Sequence, residues 1–116
     1  MPFRPLLQKL CEQHQTIRGV IFCDEEGERI ERLCNDDSLS EFDLDIAGAS
    51  LATLMPMLAN GYQEGSIRVL FDQDAYWIQL LVEGYFLLVV THQGDGRDLA
   101  LEQDLHQMRS RIISHM

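Results

Sequence analysis

Two hydrophobic periodicities alternate along the chain. Leu6, Leu7, Leu10 and Cys11 recur at three- and four-residue spacing, which predicts a helix from Pro5 to His14 with Pro5 in its first turn. Ile17 to Cys23 contains the apolar run Val20-Ile21-Phe22-Cys23, the pattern of a strand buried on both faces. Asp24-Glu25-Glu26-Gly27 is turn chemistry, with Gly27 able to adopt positive φ. Glu28 to Leu33 returns as a second, more exposed strand, and the two make a hairpin. Cys34 to Phe42 is an acidic loop holding Asp36, Asp37 and Glu41. Ser40 or Asp43 is placed to cap the helix after it, where acidic residues suit the positive end of the helix dipole.

Three strands follow the central segment. Ser66 to Phe71 puts Ile67, Val69 and Phe71 on one face, and Asp72-Gln73-Asp74 turns the chain into Ala75 to Val82. Glu83-Gly84 reads as a two-residue hairpin loop leading into Tyr85 to Thr91. After a loop from His92 to Gly96, Asp95 or Asp98 caps a last helix striped by Leu101, Leu105, Met108 and Ile112. Asp98 and Glu102 come early in it and Arg109 and Arg111 late, as the dipole favours. The predicted order is α-β-β-α-β-β-β-α: an α/β (α+β) chain whose five strands form a mostly antiparallel sheet between helices.

The central segment is unusual. From Ile46 to Gln63 no residue is charged, in a chain that is 24% charged. Gly48, Ser50, Thr53, Pro56 and Asn60, without basic flanks, make it a poor membrane span. As a helix it has two stripes. Leu44, Ala47, Leu51, Leu54, Met55 and Leu58 form one, suited to covering the sheet. Ile46, Ala49, Ser50, Thr53 and Met57 form the other, small and apolar where a solvated helix would carry charge. That second stripe predicts a covering element: a second copy of the helix or another protein, or else the acidic loop or a terminus of the same chain. Pro56 cannot donate to the carbonyl of Ala52, so the helix is expected to bend or end there.

A chain of 116 residues is expected to form one domain, and 46% hydrophobic content suits a packed core. Nine Lys and Arg against nineteen Asp and Glu give a formal net charge of −10. That field repels nucleic acid and anionic lipid and steers a basic partner inward. No apolar run reaches the length of a signal peptide or a membrane span. Three cysteines without a secretory signal read as reduced thiols, and the expected location is the cytoplasm.

Candidate chemistry changes this picture little. Cys11 and His14 have C-x-x-H spacing, but Cys23 and Cys34 are eleven positions apart and do not make the second close pair of a zinc site. Asp24 to Glu28 lacks the alternating ligands and distal Glu of a calcium loop. Gly94-Asp95-Gly96 hints at an anion nest without the dinucleotide-binding spacing. Ser50 has no base near it in sequence, and His14, His92, His106 and His115 fit no triad order. No catalytic, metal or cofactor residue is assigned, and the expected activity is protein binding. A small-molecule sensor of similar α/β/α build is the alternative.

Gly19-Val20-Ile21-Phe22-Cys23-Asp24-Glu25-Glu26-Gly27-Glu28-Arg29-Ile30 resembles the first hairpin of the Roadblock family, named for the roadblock-type dynein light chains. Glu83-Gly84-Tyr85-Phe86-Leu87-Leu88-Val89-Val90 is similar to that family's last strand, and Ala47 to Ala59 falls where it has its central helix. The likeness covers about Leu6 to Ile113. It implies a Roadblock/longin/profilin-like sandwich, in a prokaryotic member, that forms a homodimer. The central helices would pack together and the strands after them would pair, adding Arg68 and Leu70 to an interface of Ile46, Ala49, Ser50, Thr53 and Met57. It also implies an adaptor or regulator of small Ras-like GTPases, including activator-like roles in polarity and motility.

Overall fold

The computed structural model describes residues 3–58, 65–92 and 98–116, with the side chains of all of these except 56–58. The elements are α1 (Phe3–Gln13), β1 (Ile17–Cys23), β2 (Arg29–Cys34), α2 (Glu41–Leu58), β3 (Gly65–Leu70), β4 (Asp74–Leu80), β5 (Phe86–His92) and α3 (Leu99–Ser114). Their order is the predicted one. The strands lie in the order β2-β1-β5-β4-β3, and every neighbouring pair is antiparallel. The two central strands, β1 and β5, are the most apolar, as strands covered on both sides must be.

The turns of the β1–β2 and β4–β5 hairpins obey their residues. In the first, Gly27 has φ 82°, and the Asp24 carboxylate accepts from the N–H groups of Glu26 and Glu28, both at 2.9 Å. In the second, Glu83 (φ 58°) and Gly84 (φ 84°) are both left-handed, as a primed two-residue turn requires. Tyr85 N–H closes that turn on the Val82 carbonyl at 3.1 Å.

The helices divide between the faces of the sheet. α1 and α3 cover one face, where Phe3, Leu7 and Leu10 meet Phe22, Trp77, Leu87, Leu105 and Ile112. His14, almost fully buried, bonds Asp104 at 2.6 Å and ties the end of α1 to α3. Asp98 caps α3, accepting from Leu101 N–H at 3.0 Å. Among the described residues the other face carries α2 alone, which lies over β1 and β2. Asp95 and the Gly94-Asp95-Gly96 motif lie outside the described residues. Among the described residues, no helix is long and apolar enough to cross a membrane.

The helix α2 decides one expectation: of the two alternatives at Pro56, bending or ending, it does not end there but runs on to Leu58. Pro56 lies in the closing turns, so its missing N–H costs one bond without interrupting the helix ahead of it. The start of α2 at Glu41, five residues before the charge-free segment, agrees with the predicted cap. There Ser40 and Asp43 form a reciprocal cap: Asp43 N–H donates to Ser40 Oγ at 3.0 Å, and Ser40 N–H to the Asp43 carboxylate at 3.2 Å. Asn60 and the rest of the segment from 59 to Gln63 lie outside the described residues.

Candidate interaction face

The buried line of α2 is Leu44, Gly48 and Leu51, with Ala47 and Met55 half-buried beside it. Leu44 and Leu51 are 0% and 6% exposed, and burying each side chain contributes about 1.5–3 kcal/mol. Small residues here have an intramolecular use. A Cβ on Gly48 would sit 2.8 Å from Cys23 Sγ, and one on Gly27 would sit 2.7 Å from Ala52 Cβ. The β1–β2 turn therefore docks directly on the helix backbone, and Gly48 and Ala52 let it approach. Sequence spacing did not reveal this contact, because the two segments are joined only by the fold.

Polar clamps fix the same edge. Arg32 of β2 reaches across to Asp45, and to Glu41 at 2.8 Å. Its hydrogen bond to Asp45 raises the already high guanidinium pKa, so it stays charged. Arg18 of β1 bonds Asp74 at 2.5 Å and Ser38 Oγ at 2.7 Å, and lies 3.8 Å from Asp36. His92 reaches Asp36 at 3.0 Å. Asp36 is held below the usual carboxylate range, first by the Ser38 backbone N–H and then by the Ser38 side chain and His92. These bonds draw the acidic loop toward β1, β4 and β5. Leu39 tucks against Gly19, where an added Cβ would lie 2.8 Å from it.

The loop thus leaves the outer face of α2 open. Phe42 is 69% exposed, Ile46 49% and Leu54 47%, and Ala49, Ser50 and Thr53 between them are also exposed. Ile46, Ala49, Ser50 and Thr53 lie on this face as predicted. Leu54 does not belong to the sheet-facing stripe, which corrects the sequence reading. The buried line passes through Leu51 and Met55, and Leu54 falls to its solvent flank. Phe42 was missed because it precedes the charge-free run. Met57 lies in the last turn, with its side chain outside the described residues.

Because α2 sits over β1 and β2, no helix among the described residues lies above the β3–β4 end of that face. Ile67, Val69 and Tyr76 are only half-buried, and Phe71, 48% exposed, packs edge-on against Tyr76 at 4.8 Å between ring centroids. Burial raises the Tyr76 phenol pKa, with the Asp74 charge adding to it. β3 is an edge strand, bonded only to β4. Arg68 and Leu70 lie on it, both exposed; Leu70 is 50% exposed, and Arg68 stands 5.2 Å over the Trp77 ring. The predicted interface residues therefore fall in two places, the outer face of α2 and the β3 edge.

The predicted chemical candidates are placed apart. Cys11 lies in the core under α1 and α3, and Cys23 in the core under α2, on opposite sides of the sheet. Burial pushes their thiols up to about 11 and about 12, with nearby carboxylates adding to the shift in both. Burial also raises Cys34. Ser50 is exposed on α2, and His106 and His115 are exposed on or just beyond α3. A cavity of about 310 Å³ between the start of α3 and β3–β4, lined by Arg68, Trp77, Leu99 and Glu102, is open to solvent.

An antiparallel sheet with two helices on one face and a single, half-exposed helix on the other defines an α/β/α sandwich with one side open to contact. No protein-family model matches the chain, and no curated protein does. Solved structures match along its length. A Roadblock/LC7 domain from Streptomyces avermitilis has a TM-score of 0.73 at 14% identity, over 95% of this chain and 93% of that one. MglC from Myxococcus xanthus has a TM-score of 0.70 at 20% identity, over 100% of both chains. The gliding protein MglB from Thermus thermophilus has a TM-score of 0.74 at 12% identity, over 97% of this chain and 89% of that one. MglB is also solved in a tetrameric arrangement. The chain has the Roadblock/LC7 fold, in common with these bacterial proteins.

Proposed function

We propose that this chain is a non-enzymatic adaptor or regulator that pairs with a second copy through the α2 face and the β3 edge. In that form it engages a small Ras-like GTPase or a related signalling or motility protein. The observation that carries the reading is the exposed row Phe42, Ile46 and Leu54 beside small Ala49, Ser50 and Thr53. An apolar row with no charged residue from Ile46 onward needs a dry partner, and small side chains let a second helix backbone come close. The edge of β3 supports pairing there, since among the described residues no strand neighbours its outward N–H and C=O groups. The fold supports the class of partner, and its likeness to a gliding protein supports a motility setting. The net charge of −10 favours a partner with a basic face.

The test is capture of partners on immobilised wild-type protein from the native cell, with GDP or a non-hydrolysable GTP analogue added. The expected result is a small Ras-like GTPase among the identified partners, with nucleotide-dependent yield. Ala49→Arg and Thr53→Arg should reduce that yield at least tenfold. Capture of no GTPase, or equal capture by both variants, would remove the reading.

A further inference from the structure

A second surface lies on the α1/α3 side of the sheet, across the β1–β2 hairpin from the α2 row and apart from the residues of the proposed pairing. The tips of the β1–β2 and β4–β5 hairpins meet there: a Cβ on Gly84 would lie 2.8 Å from Glu25 Cβ. Beside them is a groove of about 450 Å³, within the range of about 300–1,000 Å³ typical of binding clefts. Phe3, Phe22, Ile30, Tyr85 and Ile113 give it an apolar wall, and Val82, 36% exposed, stands at its lip. The aromatic wall is ordered: Phe3 and Phe22 pack edge to face at 4.9 Å, and Tyr85 lies 6.2 Å from Phe22.

The rim has one dominant sign. Glu83 lines the groove, and Glu25, Glu26 and Glu28 are exposed on the adjoining tip. Arg29, exposed at the start of β2, and His115 on the groove wall are the basic groups beside them. Glu83 is also the one non-glycine with positive φ among the described residues. Glycine or asparagine would hold that position with less strain. A carboxylate kept where the backbone disfavours it points to a use for the charge.

We propose that this groove docks a basic amphipathic segment of a partner protein, with an apolar anchor side chain against Val82, Tyr85 and Ile113 and flanking Lys or Arg on Glu25 and Glu83. Four glutamates repel an anionic bilayer or a nucleic acid from the same place.

The test uses a fluorescent amphipathic peptide of leucine and lysine with helical spacing. Controls are a leucine–glutamate peptide of the same pattern and a lysine peptide whose leucines are replaced by serine. Anisotropy should report binding of the first peptide alone, weakened by salt. NMR shifts should centre on Val82, Tyr85 and Ile113. Glu25→Lys with Glu83→Lys should weaken binding at least tenfold, while Ile46→Arg leaves it unchanged. Glu83→Gly separates charge from structure: it should raise the melting temperature by about 2–8 °C and still weaken binding severalfold. No binding, shifts centred on α2, or a Glu83→Gly variant that binds as well as wild type would each overturn the proposal.

Discussion

The two faces of the sheet are closed to different degrees. Under α1 and α3, sixteen buried residues form the core with five half-buried ones around it. Under α2, nine of the described residues are buried and eight are half-buried. Among the described residues one face is a finished interior and the other stops partway, at the end where β3 has an open edge. If the open face is kept for contact, as proposed, stability and interaction are carried by different side chains, and substitutions should separate them.

The largest effect should come from the closed face. Phe22 is fully buried between the Phe3 and Tyr85 rings, and Phe22→Ala should cost about 3–5 kcal/mol in urea unfolding. Ile46→Ala, on the open face, should change the stability of the monomer by less than about 0.5 kcal/mol. Equal effects would erase the distinction between the faces.

The thiols give a second contrast. Cys11 and Cys23, with thiols at about 11 and about 12 against an ordinary 9.0, are protonated in the folded chain where the unfolded chain ionises. Stability linked to them is full below pH 9 and falls as pH rises toward 12, by about 1.4 kcal/mol per pH unit for each thiol. Cys23→Ala should remove one thiol's share of that slope, measured by denaturant unfolding between pH 8 and about 11. An unchanged slope would show that burial of Cys23 is not what drives the alkaline loss.

The hairpin that docks on α2 should give a smaller effect. Gly27→Ala combines a φ of 82° with a Cβ that would lie 2.7 Å from Ala52 Cβ. The expected cost is about 1–3 kcal/mol, and the double variant with Ala52→Gly should recover part of it. Simple addition of the two single effects would mean that the turn does not rest on α2.

Much of this was legible in the chain. Period-two and continuous apolar runs located all five strands within two residues at each end, and the residues capping α2 and α3 were readable as Ser40, Asp43 and Asp98. Four of the predicted contact residues on α2 do face outward. Leu54 was misassigned because periodicity describes a stripe without saying how wide the surface beneath it is. The helix meets the sheet along Leu44, Gly48 and Leu51, with Ala47 and Met55 beside them, and Leu54 falls outside that line. Gly48 and Ala52 looked like the rest of the small-residue run, yet they serve the hairpin turn. The Arg18 and Arg32 clamps and the Phe22–Tyr85–Ile113 groove were hidden for another reason. Their members are distant in sequence and meet only through the strand order. The glutamate in a two-residue hairpin loop was the signal that could have marked the groove.

Self-association through the open face is the central claim, and molecular mass in solution tests it most directly. Light scattering on the wild-type protein at micromolar concentration should give about twice the 13.3 kDa of one chain, and Ala49→Arg should return the mass to 13.3 kDa with an unchanged circular dichroism spectrum. A wild-type mass of 13.3 kDa, or an Ala49→Arg variant that keeps the doubled mass, would contradict it.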